Sequence, residues 1–267
     1  MANSNAPLGI FDSGVGGLTV FRRIAERMPA ESIVYLGDTA RVPYGTKSAD
    51  TVARYAQSCA DVLMNRGVKM LVVACNTASA YALDVLRREL PIPVLGVIEP
   101  GAKRAVAATR AKHIGVIGTA GTINSGKYQD AIREYAPDAR VSTKPCPLFV
   151  PLAEEGWTQG AVPEQVAREY LSELCAQGID TLVLGCTHYP LLKDVIARAV
   201  GPGVTLVDSA EATSESVADV LNHQRDANKG TERGARTFLV TDAPETFKRV
   251  GKHFLKDEIT DVEWVDI

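Results

Sequence analysis

The chain has 267 residues, of which 46% are hydrophobic and 23% charged, with a formal net charge of −3 at neutral pH. This balance excludes a disordered polymer, and with no Lys/Arg run it argues against nucleic acid or an anionic membrane surface as the main partner. No apolar stretch nears the eighteen or so residues that cross a bilayer, and residues 1–7 carry neither the basic nor the apolar region of a signal peptide, so a soluble cytoplasmic protein is expected.

Short apolar runs alternate with amphipathic stretches from end to end. The periodicities predict strand 8–11, helix 17–28, strand 32–36, helix 48–66, strand 69–74, helix 77–90, strand 93–98 and helix 100–109. They continue with strand 113–117, helix 121–136, strand 140–144, helix 163–177, strand 180–184, helix 190–200 and strand 204–207. The chain closes with helix 210–224, strand 237–240, helix 243–254 and strand 262–265. In the 48–66 helix, Thr51, Tyr55, Cys59, Val62, Leu63 and Arg66 fall near a 3.6-residue repeat. Strand–helix–strand order implies parallel sheets with right-handed crossovers.

Two segments echo each other. Val72-Val73-Ala74-Cys75-Asn76-Thr77 and Leu182-Val183-Leu184-Gly185-Cys186-Thr187 both run from an apolar strand through Cys into a polar, helix-like stretch. Upstream, Leu8-Gly9-Ile10-Phe11-Asp12-Ser13 pairs in the same way with Ile114-Gly115-Val116-Ile117-Gly118-Thr119, at a nearly constant offset. The expected fold is therefore α/β, with two similar doubly wound parallel-sheet domains and a site in the cleft between them. The domains are placed at residues 1–98 plus 208–267, the last segment returning to the first domain, and at 99–207. Ligands in such folds sit at the carboxyl ends of the strands, where both cysteines lie.

Five cysteines (59, 75, 146, 175 and 186) at wide spacings, with no Cys-x-x-Cys, leave reduced thiols for chemistry. Cys59, Cys146 and Cys175 read as small core hydrophobes. Cys75 and Cys186 precede helix N-termini, which favour thiolate. An ordinary thiol with a pKa of about 8.5 needs roughly 2 kcal/mol to ionise at pH 7, an amount such a terminus or a nearby cation can supply.

His188, two residues after Cys186, lacks zinc spacing and a second ligand cluster, so it reads as a general acid or thiol activator, with no metal expected. His113, His223 and His253 read as structural or exposed. The glycine turn Asp12-Ser13-Gly14-Val15-Gly16-Gly17 departs from the G-x-G-x-x-G dinucleotide pattern and turns Asp12 toward the cleft. Asp38 to Gly45 forms a rigid loop at the same sheet edge, and the irregular segment Pro147–Gly156 contains two carboxylates, Glu154 and Glu155.

Together these motifs resemble the glutamate racemase family in its bacterial cell-wall branch. The resemblance rests on Asp12-Ser13-Gly14-Val15-Gly16-Gly17-Leu18, Gly37-Asp38, Pro43-Tyr44-Gly45, Ala74-Cys75-Asn76-Thr77-Ala78, Gly115-Val116-Ile117-Gly118-Thr119, Gly121-Thr122-Ile123 and Gly185-Cys186-Thr187-His188-Tyr189-Pro190. It implies cofactor-free interconversion of L- and D-glutamate, with the D-isomer destined for peptidoglycan. By the same resemblance Cys75 and Cys186 are the two acid/base thiols, Cys75 acting on D-glutamate and Cys186 on L-glutamate. Asp12 assists Cys75; His188 and Glu154, or Glu155 in its place, assist Cys186. Asp12, Ser13, Tyr44, Gly45, Asn76, Thr77, Thr119, Thr187 and His188 hold the substrate, with Thr122 a further candidate.

The alternatives are an aspartate or hydantoin racemase of the same fold, a thiol hydrolase using one Cys with His188, and a two-lobed amino-acid sensor. A small-molecule substrate is the expected partner, and a homodimer is a possible assembly.

Overall fold

A computed structural model of the chain describes residues 4–255 and 259–267. The first segment alternates β1 (Leu8–Asp12), α1 (Leu18–Arg27), β2 (Ile33–Gly37), α2 (Ala49–Asn65), β3 (Met70–Val73), α3 (Asn76–Glu89) and β4 (Val94–Gly96). The middle follows with α4 (Ile98–Ala108), β5 (His113–Gly118), α5 (Ala120–Asn124), α6 (Lys127–Tyr135), β6 (Arg140–Pro145), α7 (Phe149–Glu154), α8 (Ala161–Ala176), β7 (Thr181–Gly185), α9 (Lys193–Val200) and β8 (Thr205–Asp208). The chain ends with α10 (Ser209–Gln224), β9 (Arg236–Val240), α11 (Pro244–Leu255) and β10 (Glu263–Trp264).

Two parallel sheets result. One has the order β10-β9-β2-β1-β3-β4 and the other β6-β5-β7-β8. The core order β2-β1-β3-β4 recurs as β6-β5-β7-β8, so the repeat in the sequence is a repeat of topology. Its packing recurs too. Gly9 of β1 faces Val68 two residues before β3, and Gly115 of β5 faces Ile179 two residues before β7; a Cβ at either glycine would stand 3.1 or 2.8 Å from those side chains. The last two strands, β9 and β10, enter the first sheet beside β2.

Residues on β1, β2, β3 and β7 are buried throughout, as expected of parallel strands covered on both faces. Alternate side chains serve opposite layers. Leu8 and Ile10 of β1 pack with Leu18, Phe21 and Ile24 of α1, Val217 of α10 and Phe247 of α11. Phe11 and Leu36 face α2 and α3 through Val52, Leu63, Ala82 and Leu86. In the second sheet, Leu182 and Leu184 meet α8 and α9, while Ile114, Val116 and Val183 meet α4 and α6. The edge strand β6, Arg-Val-Ser-Thr-Lys-Pro, is half exposed and ends in Lys and Pro, which discourage pairing with another chain.

The structure corrects several local expectations. The helix foreseen over 121–136 is broken into α5 and α6, because Gly126 adopts φ +71° after Ser125. The segment after Pro147 contains the short helix α7, with Pro151 tolerated in its first turn. The buried stripe of α2 is Val52, Ala56, Cys59, Ala60 and Leu63, rotated by about one residue from the expected face. Ile98 begins α4 instead of ending a strand. Cys175 is only half buried, whereas Cys59 and Cys146 are in the core. Among the described residues no helix is long and apolar enough to cross a membrane.

Candidate active site

The carboxyl ends of the two sheets face each other, and the loops that leave them meet around a small cavity. It is lined by Ser13 from the β1 turn, Val42, Pro43, Tyr44 and Gly45 from the β2 loop, and Cys75, Asn76 and Thr77 at the start of α3. The opposite half contributes Thr119, Thr122, Val150, Cys186, Thr187 and His188. Each cysteine follows the strand third in order within its half, next to the central strand, which is the switch point of a doubly wound sheet. The two sulfurs thus come from equivalent places and line one cavity from opposite walls.

The halves approach closely enough that glycine is required at the seam. A Cβ at Gly16 would stand 2.3 Å from Thr187 Oγ1 and 2.5 Å from the His188 ring. One at Gly45 would stand 2.6 Å from Thr119 Cβ. Thr77 Oγ1 lies 2.9 Å from Thr119 Oγ1 and 3.1 Å from Thr122 Oγ1, so a hydroxyl cluster joins the halves beside the cysteines. Thr119 also caps α5 through the Thr122 amide.

On the first wall, Cys75 is the N-cap residue of α3, in extended backbone, and its thiol donates to Ser13 Oγ at 3.6 Å. Burial and the nearby Asp12 carboxylate push its pKa up to about 12, so Cys75 rests as a neutral thiol. Asp12 is fully buried at the end of β1 and lies behind the cavity wall. Its Oδ2 accepts from the Gly14 amide at 2.9 Å, while its Oδ1 has no hydrogen-bond partner among the described residues. Burial raises its pKa, against the opposing pull of His188.

On the second wall, His188 Nδ1 lies 3.8 Å from Cys186 Sγ, and His188 Nε2 lies 2.9 Å from Glu154 Oε1 on α7. Burial alone would push the imidazole pKa down. The contacts to Cys186 and Glu154 outweigh burial and hold it at about 10, so His188 is an imidazolium at neutral pH. Phe254 of α11 packs edge-on against the ring at 5.4 Å. Glu154 reaches His188 from behind the cavity, whereas Glu155 is exposed among Leu148, Pro151 and Trp157 on the outer surface.

Other expected binding residues separate by the atoms they present. Asn76 Oδ1 is taken by the Tyr128 hydroxyl at 2.7 Å, and its buried Nδ2 has no hydrogen-bond partner among the described residues, leaving a donor for a ligand acceptor. The Tyr44 hydroxyl is bonded to Asp38, so it is not offered to the cavity that Tyr44 lines. Arg41 is engaged with Asp38 and stacks on Tyr55. His113 and His223 have partners, Ser142 Oγ and the Asp219 carbonyl, and none of these four residues lines the cavity. Among the described residues no group of three or more His, Cys, Asp or Glu is arranged to hold a metal ion. Tyr128 and Phe254 were missed, each reaching the site from a helix whose pattern reads as core, whereas Val42 and Val150 lie in the two loop segments singled out from the sequence.

The model of the Asp/Glu/Hydantoin racemase family matches residues 9–217. A glutamate racemase of Geobacter metallireducens is 55% identical over 260 residues, covering 97% of this chain and 96% of the relative. Among solved structures, a glutamate racemase isoform of Bacillus anthracis superposes with a TM-score of 0.96 at 38% identity, covering 99% of both chains. The Francisella tularensis glutamate racemase, solved in complex with D-glutamate, superposes with a TM-score of 0.92 at 39% identity, covering 98% of both chains.

Proposed function

The chain belongs to the Asp/Glu/Hydantoin racemase family, and from that premise we propose that it interconverts L- and D-glutamate by proton transfer at Cα between two thiols. The observation that carries this reading is the placement of Cys75 and Cys186 at equivalent strand ends, on opposite walls of one cavity. Inversion at carbon needs a base on one face and an acid on the other, each able to take the other's role.

The contacts on the two walls support a direction. Cys75 holds its proton, and Cys186 has an imidazolium against its sulfur. With L-glutamate bound, the Cys186 thiolate takes the Cα proton and the C–H electron pair remains on carbon. The Cys75 thiol then delivers its proton to the opposite face, giving D-glutamate and a Cys75 thiolate. The reverse reaction uses the same atoms in reverse order. Asp12 assists the Cys75 side, and His188 with Glu154 assists the Cys186 side. Ser13, Asn76, Thr77, Thr119 and Thr187 supply amides and hydroxyls for the substrate carboxylates and for charge that develops at Cα, with the Asn76 Nδ2 donor foremost. The scheme calls on no cofactor.

The cavity holds about 40 Å³, room for little more than water and far below the roughly 300–1,000 Å³ of ligand pockets. Substrate admission therefore requires the halves to part and close again. For this motion we divide the chain into residues 1–98 with 208–267 and residues 99–207. The division is supported by β9 and β10 joining the first sheet and by α4 packing on β7, β8 and α6. The product D-glutamate is directed to peptidoglycan. Reliance on reduced thiols fits a reducing cytoplasm, and a homodimer is a possible assembly. A circular dichroism assay with L-glutamate and no added cofactor tests the function. Decay of the signal to zero is expected; an unchanged signal, or one that decays only with L-aspartate, contradicts it.

A further inference from the structure

We propose that Asp38 is a positioning residue of this site, locking the cavity-wall segment Val42–Gly45 in register through a seam to Thr241 and Asp242. Asp38 follows β2 at the same sheet edge as the cavity and is fully buried. Its Oδ1 accepts from Arg41 Nε at 3.0 Å and from Thr241 Oγ1 at 2.9 Å. Its Oδ2 accepts from Arg41 Nε at 2.8 Å and from the Tyr44 hydroxyl. Both oxygens are thus engaged within this chain by three donor hydrogens, the single Arg41 Nε–H being shared between them. Asp38 is not among the residues that line the cavity.

The seam extends beyond the carboxylate. The Ala40 amide donates to Thr241 Oγ1 at 2.9 Å. Thr39 Oγ1 donates to the Asp242 carbonyl at 2.5 Å and accepts from the Asp242 amide at 2.9 Å. Thr241 N in turn donates to the Gly37 carbonyl at 3.2 Å. Residues 37–40 are thereby fastened to the end of β9, a strand about two hundred positions away in sequence. Beyond Arg41, Val42 to Gly45 form the cavity wall. At the end of that wall Gly45 abuts Thr119, which belongs to the hydroxyl cluster with Thr77 and Thr122. A shift of the segment passes directly to groups on both halves. Through this seam the C-terminal segment, none of whose described residues lines the cavity, bears on the site.

The inference rests on the glutamate reading for its substrate, and the test separates the two. Asp38→Asn and Thr241→Val each remove part of the seam, and Thr241→Ser keeps the hydroxyl. Steady-state kinetics in both directions are read beside amide hydrogen exchange of residues 39–46 in the absence of substrate. Asp38→Asn and Thr241→Val are expected to raise KM about 10-fold or more with kcat within about 3-fold and an unmoved pH profile, the pattern of lost binding rather than lost chemistry. Exchange across 39–46 should quicken by about 10-fold while the amides of α2 are unaffected. Thr241→Ser should follow the unsubstituted protein in both readouts. The idea is overturned if KM is unchanged in both variants, or if kcat falls with a displaced pH limb, which would make Asp38 part of proton transfer. If Asp38→Asn does not fold, the Thr241 pair decides. If the unsubstituted protein fails to racemise glutamate, the substrate reading falls, and unaltered exchange at 39–46 would separately refute the seam.

Discussion

Replacing Glu154 by Gln isolates what the carboxylate does for His188. Glu154 Oε1 lies 2.9 Å from His188 Nε2, and its side chain retains 35% exposure. Glutamine can still accept that hydrogen bond, so the change is from a charge-assisted bond of roughly 1.5–3 kcal/mol to a neutral one of about 0.5–1.5 kcal/mol. Partial exposure screens the charge and favours the low end, leaving a loss of about 1–1.5 kcal/mol, equivalent to about one pH unit at 1.36 kcal/mol per unit. The imidazolium, held at about 10 in the unsubstituted protein, should then titrate near 9. His188 is charged below its pKa and loses its proton as pH rises through it. The alkaline limb of kcat with L-glutamate should therefore move down by about one pH unit, while kcat at pH 8 changes little. Rate profiles from pH 7 to 11, paired with a ¹⁵N-histidine NMR titration, give both quantities. Glu155→Gln serves as control, because Glu155 is exposed on the far side of α7. A Glu154→Gln profile superimposed on that of the unsubstituted protein, or an equal displacement by Glu155→Gln, would refute the assignment of Glu154 to His188.

Cys75→Ala and Cys186→Ala should each abolish racemisation, yet each should still eliminate a β leaving group from one enantiomer of a glutamate analogue, with opposite enantiomers preferred, as ¹H NMR of the products would show. Gly16→Ala forces a Cβ to within 2.3 Å of Thr187 Oγ1 and 2.5 Å of the His188 ring; displacement of His188 should lower kcat by about 10²-fold in both directions, measured beside a thermal melt that checks the fold. Retention of full activity by Gly16→Ala would show that the two loops are not held in register by that contact.

Much of the architecture is legible because parallel strands buried on both faces leave continuous apolar runs. Leu8–Asp12, Met70–Val73 and Thr181–Gly185 are such runs, and each is followed within two residues by a cavity residue, Ser13, Cys75 or Cys186. The repeat of Gly9 at Gly115 is equally readable, because both glycines accept the side chain that precedes the third strand of their half. Helix interruptions are less so. Ser125-Gly126 breaks a pattern whose apolar period continues through it, and Pro147 and Pro151 mask the short helix that carries Glu154.

The choice between Glu154 and Glu155 could not be made from adjacent identical residues. It depends on which face of α7 meets His188, a matter of packing. The partners of Asn76, Asp38 and His188 are hidden for the same reason. Tyr128 lies 52 positions from Asn76, Thr241 lies 203 from Asp38, and Phe254 comes from the segment with the weakest motif content. Only the fold brings them together.

The claim that two thiols serve opposite faces of one carbon is tested most directly by running the reaction from L-glutamate in D₂O and analysing both enantiomers at early times. Each inversion removes a proton to Cys186 and returns a solvent-derived deuteron from Cys75. D-glutamate should carry deuterium at Cα while the remaining L-glutamate keeps its proton. Deuterium appearing in unreacted L-glutamate ahead of inversion would show one base exchanging with solvent and serving both faces, and would contradict the two-thiol site.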